Sequence, residues 1–304
     1  MENSAGYLKA IRKMMFENNV RKVRELMGDY MQYIAFRKPK VKGWIPHDNP
    51  EIQNEVVAAL KKSGFEVVDY EINVTDYRRY LKNADYSKFP DYWCGGKGSN
   101  FPEKSVEHYL AAKVLDISKE DVYIDVANDH SPAPDIYHKL HGCVSYKQDL
   151  IFPIGITGNI IGGDASNMPV ADGFATKIAL HCSFEHFEQD SDIRFIKEAG
   201  RVLRVGGRLC IVPLYLFNKY AIQTDLSVWP KGGLNFEREA VIYFAKGWGN
   251  RHARVYDVPH FITRIRDNLC GMRMTVYSIK NPKEVHPSGY VRFMALFEKS
   301  SQSF

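Results

Sequence analysis

Two absences from the sequence already exclude several classes of protein. There is no run of about 18 uncharged apolar residues, which a membrane-spanning helix requires. The first residues also lack the apolar stretch and small-residue cleavage site of a secretory signal. The five cysteines are odd in number, widely scattered and without a CxxC pair, as is typical of free thiols in a reducing compartment. We therefore expect a cytoplasmic protein with no membrane span.

The positive charge of the chain is confined to its first section. Residues 1–43 hold ten Lys/Arg against four Asp/Glu, which leaves 31 basic and 32 acidic residues of the totals of 41 and 36. A neutral body argues against a nucleic-acid partner. Apolar residues at helical spacing in 1–43 predict two amphipathic helices that pack on the main domain or form a homodimer. A membrane-surface or nucleic-acid arm is the alternative.

The sequence pattern divides the chain into two sections. Residues 1–104 read as a mainly helical extension, with helices over 52–60 and 75–84 and a strand over 65–72. Residues 89–101 are rich in glycine and aromatic residues, which favours a loop that lines a site or serves as a plain linker. We expect residues 1–104 to act as a lid or a dimerisation unit, and residues 105–304 to form the main domain.

From residue 121 onward, apolar strands alternate with helical segments. The predicted strands cover 122–126, 143–146, 160–162, 177–180 and 208–213, and a helix covers 193–203. This alternation predicts an α/β fold with a doubly wound, mostly parallel sheet. Residues 274–279 and 290–298 are separated by turn formers, so they are expected to add an antiparallel hairpin at the sheet edge.

Three motifs within this pattern resemble those of a known family. The stretch from about 121 to 299 resembles a class I S-adenosylmethionine-dependent methyltransferase. The resemblance implies a Rossmann-like fold, S-adenosyl-L-methionine as the cofactor, and methyltransferase activity. The motifs that carry it are Gly163-Asp164-Ala165 with Met168-Pro169, Phe184-Glu185-His186, and Arg201-Val202-Leu203 with Gly206-Gly207.

The loop after the first predicted strand departs from the family. Typical members have an acidic residue followed by GxGxG, whereas residues 125–131 (DVANDHS) contain no glycine. Asn and Asp tolerate left-handed backbone geometry better than most residues, so the turn can still form. Acidic side chains there would repel the pyrophosphate of a nicotinamide cofactor but attract a sulfonium.

Strand ends at the switch in strand order are where an open α/β sheet binds its ligand. Asp149, after the second strand, is placed to accept hydrogen bonds from ribose hydroxyls, with a turn-forming role as the alternative. The resemblance implies that Asp164 and Ala165 face the adenine, and that Met168 packs against the base or in the core. The predicted cofactor-binding residues are Asp125, Ala127, Asn128, Asp149, Asp164, Ala165 and His181.

Methyl transfer from a sulfonium is an in-line displacement, so the protein must position the acceptor and remove its proton. His181 and His186 flank Glu185 at the end of the fourth strand, and these three are the predicted catalytic residues. A cofactor-side or fold-supporting role is the alternative for Glu185 and His186, and His130 is a further candidate base. No His, Cys or acidic spacing matches a standard metal site, so none is predicted.

Residues 214–256 form a predicted insertion that is rich in aromatic and basic residues. Such side chains suit a small anionic or glycan-type acceptor, such as a nucleotide-linked or phosphorylated intermediate, and the expected reaction is O-methylation. The family resemblance implies a role in polysaccharide biosynthesis. A non-catalytic partner-binding module and an RNA methyltransferase are the alternatives. The predicted substrate-binding residues are Tyr215, Tyr220, Arg251, His252 and Arg254.

Overall fold

The computed structural model describes residues 40–228 and 236–301. The two helices predicted within residues 1–43 lie outside this part. The strands in chain order are β1 (Lys40–Lys42), β2 (Glu66–Tyr70), β3 (Val122–Val126), β4 (Val144–Asp149), β5 (Gly155–Thr157), β6 (Ile160–Gly162), β7 (Ala175–His181), β8 (Leu203–Val212), β9 (Ala221–Thr224), β10 (Val241–Phe244), β11 (Ala253–Val255), β12 (Met272–Ile279) and β13 (Phe293–Lys299).

Eight helices accompany these strands in the described residues. They are α1 (Pro50–Lys62), α2 (Val74–Ala84), α3 (Trp93–Gly96), α4 (Phe101–Leu115), α5 (Ala133–His141), α6 (Ser191–Val202), α7 (Val258–Arg264) and α8 (Pro282–Val285). None that the structure describes is long and apolar enough to cross a membrane.

The described chain divides into two compact units. The larger unit comprises residues 46–218 and 255–301 and contains the nine-stranded sheet in the order β2-β12-β13-β8-β7-β3-β4-β6-β5. Strands β6, β4, β3, β7 and β8 are parallel neighbours, and β13 is antiparallel to both β8 and β12. The predicted doubly wound sheet with a C-terminal antiparallel hairpin is therefore confirmed.

The hairpin does not form the sheet edge that the sequence predicted. Strand β13 lies between β8 and β12, and β2 pairs in parallel with β12 from Thr275 to Ile279. Residues 46–104 thus belong to the larger unit, whose sheet β2 completes. The predicted domain boundary after residue 104 falls inside α4. The lid or dimerisation role of the first section stays a prediction.

A short hairpin replaces the helix that usually connects the second and third strands of such a sheet. Strands β5 and β6 pair in antiparallel fashion, with Gly155 opposite Gly162. A Cβ on Gly162 would lie 1.9 Å from the carbonyl oxygen of Pro153, so the residue must be glycine for the turn to pack this closely.

The smaller unit comprises residues 40–45, 219–228 and 236–254 and holds the four-stranded sheet β1-β10-β9-β11. Its strands β1, β10 and β9 are parallel neighbours. Ile222 and Ile242 are fully buried and form part of its core. The predicted insertion at 214–256 thus contributes most of this unit.

Helix α4 packs on β7 and β8 of the larger unit. Its apolar residues Val106, Leu110 and Ala111 are buried, as expected for a helix on a sheet. Unusually, Glu103, Glu107 and His108 are buried as well. Burial of ionisable side chains costs folding free energy unless they are paired or hydrogen-bonded. The buried ionisable residues of this helix are therefore expected to lower the stability of the fold.

Candidate functional site

Four of the predicted cofactor residues lie along one edge of the larger sheet. Asp125 and His181 are at the carboxyl ends of β3 and β7, Asp149 ends β4, and Asp164 follows β6 by two residues. Because β7, β3, β4 and β6 are adjacent and parallel, these ends meet at the same edge. The strand order reverses between β3 and β7, which is where this fold opens a crevice.

Asp125 joins the ends of β3 and β7. Its side chain is almost fully buried and accepts hydrogen bonds from the Tyr123 hydroxyl at 2.9 Å, from Asn128 Nδ2 at 2.5 Å and from His181 Nδ1 at 2.8 Å. These three donors use both carboxylate oxygens. The carboxylate therefore fixes the loop after β3 and the orientation of the His181 ring.

His181 is held on all sides rather than open to solvent. The His181 side chain is only 4% exposed, and its Nε2 lies 3.4 Å from the Tyr137 hydroxyl. The ring also meets His108 edge to face, with centroids 4.6 Å apart. Burial lowers the pKa of His108 well below its ordinary value, so His108 stays neutral at pH 7.

The glycine-free loop adopts the backbone geometry that glycines provide elsewhere. Ala127 has φ 52° and Asp129 has φ 47°, both in the left-handed region. The Asn128 amide donates to the Gln148 carbonyl at 3.0 Å, and the Asp129 amide donates to Asp149 Oδ2 at 2.9 Å. Hydrogen bonds to β4 thus compensate for side chains that disfavour this turn.

Replacement of Ala127 by glycine is expected to stabilise the protein. The left-handed conformation costs an alanine about 1 kcal/mol that glycine avoids. Urea denaturation should show this gain in the free energy of unfolding for Ala127→Gly. The matched control is Ala58→Gly, on the exposed face of α1, which should lose about 1 kcal/mol because glycine is a poor helix former. A loss in both variants would show that the loop is unstrained.

The two aspartates that are predicted to bind adenosine remain accessible to a ligand. Asp149 is half-buried and accepts from the amides of Asp129 and Ile151, which leaves lone pairs for further donors. Asp164 is exposed; its Oδ1 accepts from the amide and hydroxyl of Ser166, both at 2.8 Å. Met168 is 3% exposed, which favours the core position over contact with a base.

A group of buried ionisable side chains lies beside His181, on the β7 and β8 side of the crevice. We call it the charged cluster and define it as Glu103, Lys104 and Glu107 of α4 with Cys182 and Glu185 after β7. Lys104 Nζ lies 2.8 Å from Glu107 Oε1, and the Cys182 thiol donates to Glu185 Oε1 at 3.2 Å. Electrostatic interactions connect Lys104 to Cys182, and Glu107 to Glu185 and His181.

Three carboxylate oxygens of the charged cluster have no hydrogen-bond partner among the residues that the structure describes. They are Glu103 Oε1, Glu107 Oε2 and Glu185 Oε2. The Glu107 and Glu185 side chains are 0% and 4% exposed. Leaving such an acceptor unsatisfied costs about 1–3 kcal/mol. In native proteins such groups have a specific cause, such as a catalytic role, stored strain or a bound water or ion.

Burial dominates the ionisation of the charged cluster. It raises the pKa of Glu103 to about 8 and also raises the pKa of Glu107, with Glu103 and Glu107 repelling each other in their charged forms. Burial raises the pKa of the Cys182 thiol well above its ordinary value, so the thiol stays protonated. For Lys104, burial lowers the pKa, but Cys182 and Glu107 outweigh it and the pKa lies well above its ordinary value.

This burial predicts that stability falls as the pH rises from about 4.5 to 8. Over that window the unfolded chain loses the Glu103 proton while the folded protein keeps it. The unfolded state is therefore stabilised relative to the native state as the pH rises. The free energy of unfolding should fall by up to about 1.4 kcal/mol per pH unit for this proton. Urea denaturation of Glu103→Gln should show a shallower slope, and an unchanged slope would contradict the assignment.

The structure brings two of the three predicted catalytic residues together. His186 Nε2 lies 3.7 Å from Glu185 Oε1, and the His186 side chain is 36% exposed. His181 belongs instead to the Asp125 network. The alternative base His130 is exposed and lies 3.3 Å from Asp129.

The predicted substrate residues fall in different places. The Tyr215 hydroxyl lies 3.5 Å from Cys182 Sγ, which places Tyr215 beside the charged cluster. Tyr220, Arg251, His252 and Arg254 belong to the smaller unit. Arg254 is fully buried there and donates to the Tyr220 hydroxyl at 3.1 Å and to Glu237. The charge of Arg254 is therefore compensated within that unit.

Sequence reasoning missed the contribution of α4 to the site. Its polar residues 103, 104, 107 and 108 recur at one-turn spacing and share one helix face, in a segment that is otherwise apolar. A charged face on a helix that enters a buried layer is a usable signal. The proximity of this face to Cys182 and Glu185 could not be predicted from the sequence, because nearly 80 residues separate α4 from these two residues in the chain.

Comparisons with known proteins agree with this geometry. Residues 94–211 match the family described as "Methyltransferase domain". A search of curated proteins finds no match to the chain.

Several solved structures are similar at low sequence identity. The Burkholderia thailandensis 1,6-didemethyltoxoflavin-N1-methyltransferase, with bound S-adenosylhomocysteine, is 12% identical over 76% of this chain and 92% of its own, with a TM-score of 0.42. Streptomyces venezuelae DesVI is 13% identical over 71% of this chain and 99% of its own, with a TM-score of 0.43. A Haloferax volcanii complex of the Trm112 methyltransferase activator and a methyltransferase contains a chain that is 11% identical over 72% of this chain and 99% of its own, with a TM-score of 0.44. Such distant likeness assigns no substrate.

Proposed function

We propose that the chain transfers a methyl group from S-adenosylmethionine to a small-molecule acceptor, because residues 94–211 match a methyltransferase domain and the sheet has a class I methyltransferase-like strand order. The observation that carries this proposal is the loop after β3, in which Ala127 and Asp129 keep left-handed geometry without glycine. A loop that had lost its ligand would be free to relax from this strained form. This supports an active methyltransferase over a non-catalytic module.

The residues at the sheet edge fit an adenosyl cofactor. Asp149 would accept from the ribose hydroxyls, Asp164 and Ala165 would meet the adenine, and Asp125, Ala127 and Asn128 would shape the loop around the methionine moiety. When bound, the cofactor supplies an electrophilic methyl group on a sulfonium. His181, locked by Asp125, acts in this proposal as a positioning residue at the boundary with the charged cluster.

The remaining chemistry belongs to the protein. The acceptor must be held with its lone pair directed at the methyl group, and a proton must leave it. Glu185, with His186 3.7 Å away, and Glu107 are the candidate proton acceptors beside the crevice. Burial around them excludes water, which strengthens their electrostatic effect on the reacting atoms.

The predicted anionic or glycan-type acceptor, its O-methylation and a role in polysaccharide biosynthesis remain predictions. The anionic acceptor relied on the basic residues of the insertion, of which Arg254 is already paired with Glu237. The role in polysaccharide biosynthesis relied on the family resemblance. The cytoplasmic location and a homodimer through residues 1–43 also stay predictions.

Calorimetric titration tests the proposed function directly. We expect S-adenosylmethionine and S-adenosylhomocysteine to bind one per chain in the micromolar range. NADH should give no heat of binding, because its pyrophosphate would be repelled by Asp125 and Asp129. Binding of NADH in preference to the adenosyl ligands, or binding of none of the three, would contradict the proposal.

A further inference from the structure

The charged cluster and the predicted adenosine contacts follow strands on opposite sides of the point where the strand order reverses. The predicted adenosine contacts come from β3, β4 and β6, on one side of the point where the strand order reverses. Cys182 and Glu185 follow β7, and Tyr215 follows β8, on the other side. The Tyr215 hydroxyl and the Glu185 carboxylate both contact Cys182, so these residues form one surface.

Two carboxylates present unsatisfied oxygens to this surface. Glu107 Oε2 and Glu185 Oε2 are buried, interact electrostatically with each other, and lack a partner among the described residues. A ligand that completes both must bring at least two hydrogen-bond donors. A hydroxyl offers one donor, whereas a primary amine offers two and an ammonium three.

The charge and the aromatic rings around these carboxylates also favour a cationic ligand. Lys104 is already paired with Glu107 Oε1, so an acceptor with a carboxylate or phosphate would face the remaining oxygens of Glu107 and Glu185 in a poorly solvated setting, which is unfavourable. Tyr92, Tyr215 and Tyr290 interact electrostatically with Glu107 and line the same cluster. Aromatic faces together with carboxylates are a suitable surrounding for a substituted ammonium.

We propose that the charged cluster binds an amine nitrogen, and that the methyl acceptor of this protein is a primary or secondary amine on a small aromatic or apolar framework. This inference rests on the proposed function and deepens it. It replaces the anionic acceptor that the sequence suggested with one of opposite charge.

The chemistry balances without a further reagent. The ammonium gives one proton to a carboxylate of the cluster, which frees the nitrogen lone pair. That lone pair forms a bond to the methyl carbon while the carbon–sulfur bond breaks, and the electron pair of the broken bond stays on sulfur. The products are the N-methylated ammonium and S-adenosylhomocysteine, and the carboxyl group then releases its proton to solvent.

Matched pairs of probes test the charge preference. Each pair is titrated by calorimetry into the full chain saturated with S-adenosylhomocysteine: benzylamine against benzoate, and tyramine against 4-hydroxyphenylacetate. We expect at least one amine to bind at least tenfold more tightly than its carboxylate partner. Equal or tighter binding of the carboxylates, or no binding of either amine, would overturn the inference.

Glutamine variants test whether the carboxylates of Glu107 and Glu185 bind the amine. Glu185→Gln and Glu107→Gln should each weaken amine binding at least tenfold, while the affinity for S-adenosylhomocysteine stays within twofold. The melting temperature of Glu185→Gln should not fall, whereas that of Glu107→Gln should, because the buried Lys104 ammonium loses its charged partner. The control is Glu120→Gln, an exposed glutamate beside Lys119, which should leave all three values unchanged. A fall in melting temperature together with the loss of both ligands would indicate a structural role and overturn the assignment.

The two proposals fail in different ways in this design. No binding of S-adenosylhomocysteine to the unaltered chain overturns the proposed function. Binding of S-adenosylhomocysteine with a preference for the carboxylate probes leaves the proposed function standing and overturns the amine acceptor.

Discussion

Asp149→Ala is expected to weaken S-adenosylhomocysteine binding at least about a hundredfold. Two charge-assisted hydrogen bonds from the ribose are worth about 1.5–3 kcal/mol each, and a hundredfold corresponds to about 2.8 kcal/mol. The substitution also removes the acceptor of the Asp129 amide, so the strained loop loses an anchor. Calorimetric titration of the variant measures the change.

The matched control for this variant is Asp267→Ala. Asp267 is exposed, lies 3.5 Å from Arg266 and follows α7, outside the strand ends that form the crevice. Its replacement should change the affinity by less than twofold. Retention of full affinity in Asp149→Ala would show that Asp149 is a turn-forming residue, which is the alternative that the sequence left open.

Asp125→Asn is expected to lower the free energy of unfolding by about 3 kcal/mol. Three donors from Tyr123, Asn128 and His181 converge on the two carboxylate oxygens. An amide has only one acceptor oxygen, so at least one buried donor loses its partner, at about 1–3 kcal/mol for each. The same change should weaken S-adenosylhomocysteine binding at least tenfold, because the loop after β3 is no longer fixed to β7.

A second aspartate separates the two effects. Asp121 precedes β3 at the opposite end of the strand and accepts from Thr176 and Ser118. Asp121→Asn should destabilise the protein, as measured by urea denaturation, without changing the affinity for S-adenosylhomocysteine. If both variants weakened binding equally, the effect of Asp125 would be general destabilisation rather than local positioning.

The parallel core of the fold was predictable because its strands are short apolar segments separated by helical ones. Strands β3 and β6 have the predicted bounds, and β4, β7 and β8 differ by a few residues at their ends. The pairing of β2 with β12 was not predictable, since it joins segments about 200 residues apart and depends on the tertiary fold. The four-stranded sheet of the smaller unit was missed for the same reason.

The strand-end residues of the site followed from the fold, whereas their interactions did not. Asp149 and Asp164 stand where the motif and the strand pattern placed them. His181 and His186 were comparable candidate bases from the sequence, but a buried hydrogen bond holds His181 on Asp125 rather than on Glu185. The unsatisfied oxygens of Glu107 and Glu185 depend on side-chain packing between distant elements, which no local pattern records.

Product analysis after incubation with methyl-labelled S-adenosylmethionine tests the central claim most directly. The full chain is incubated with benzylamine and benzoate, or with tyramine and 4-hydroxyphenylacetate, and the products are separated by charge. We predict that mass spectrometry finds the label on the amine nitrogen of benzylamine or tyramine, with one S-adenosylhomocysteine formed for each methyl group transferred. Label on the phenol oxygen of tyramine, label confined to an acidic or neutral product, or no transfer to either amine would contradict the amine acceptor.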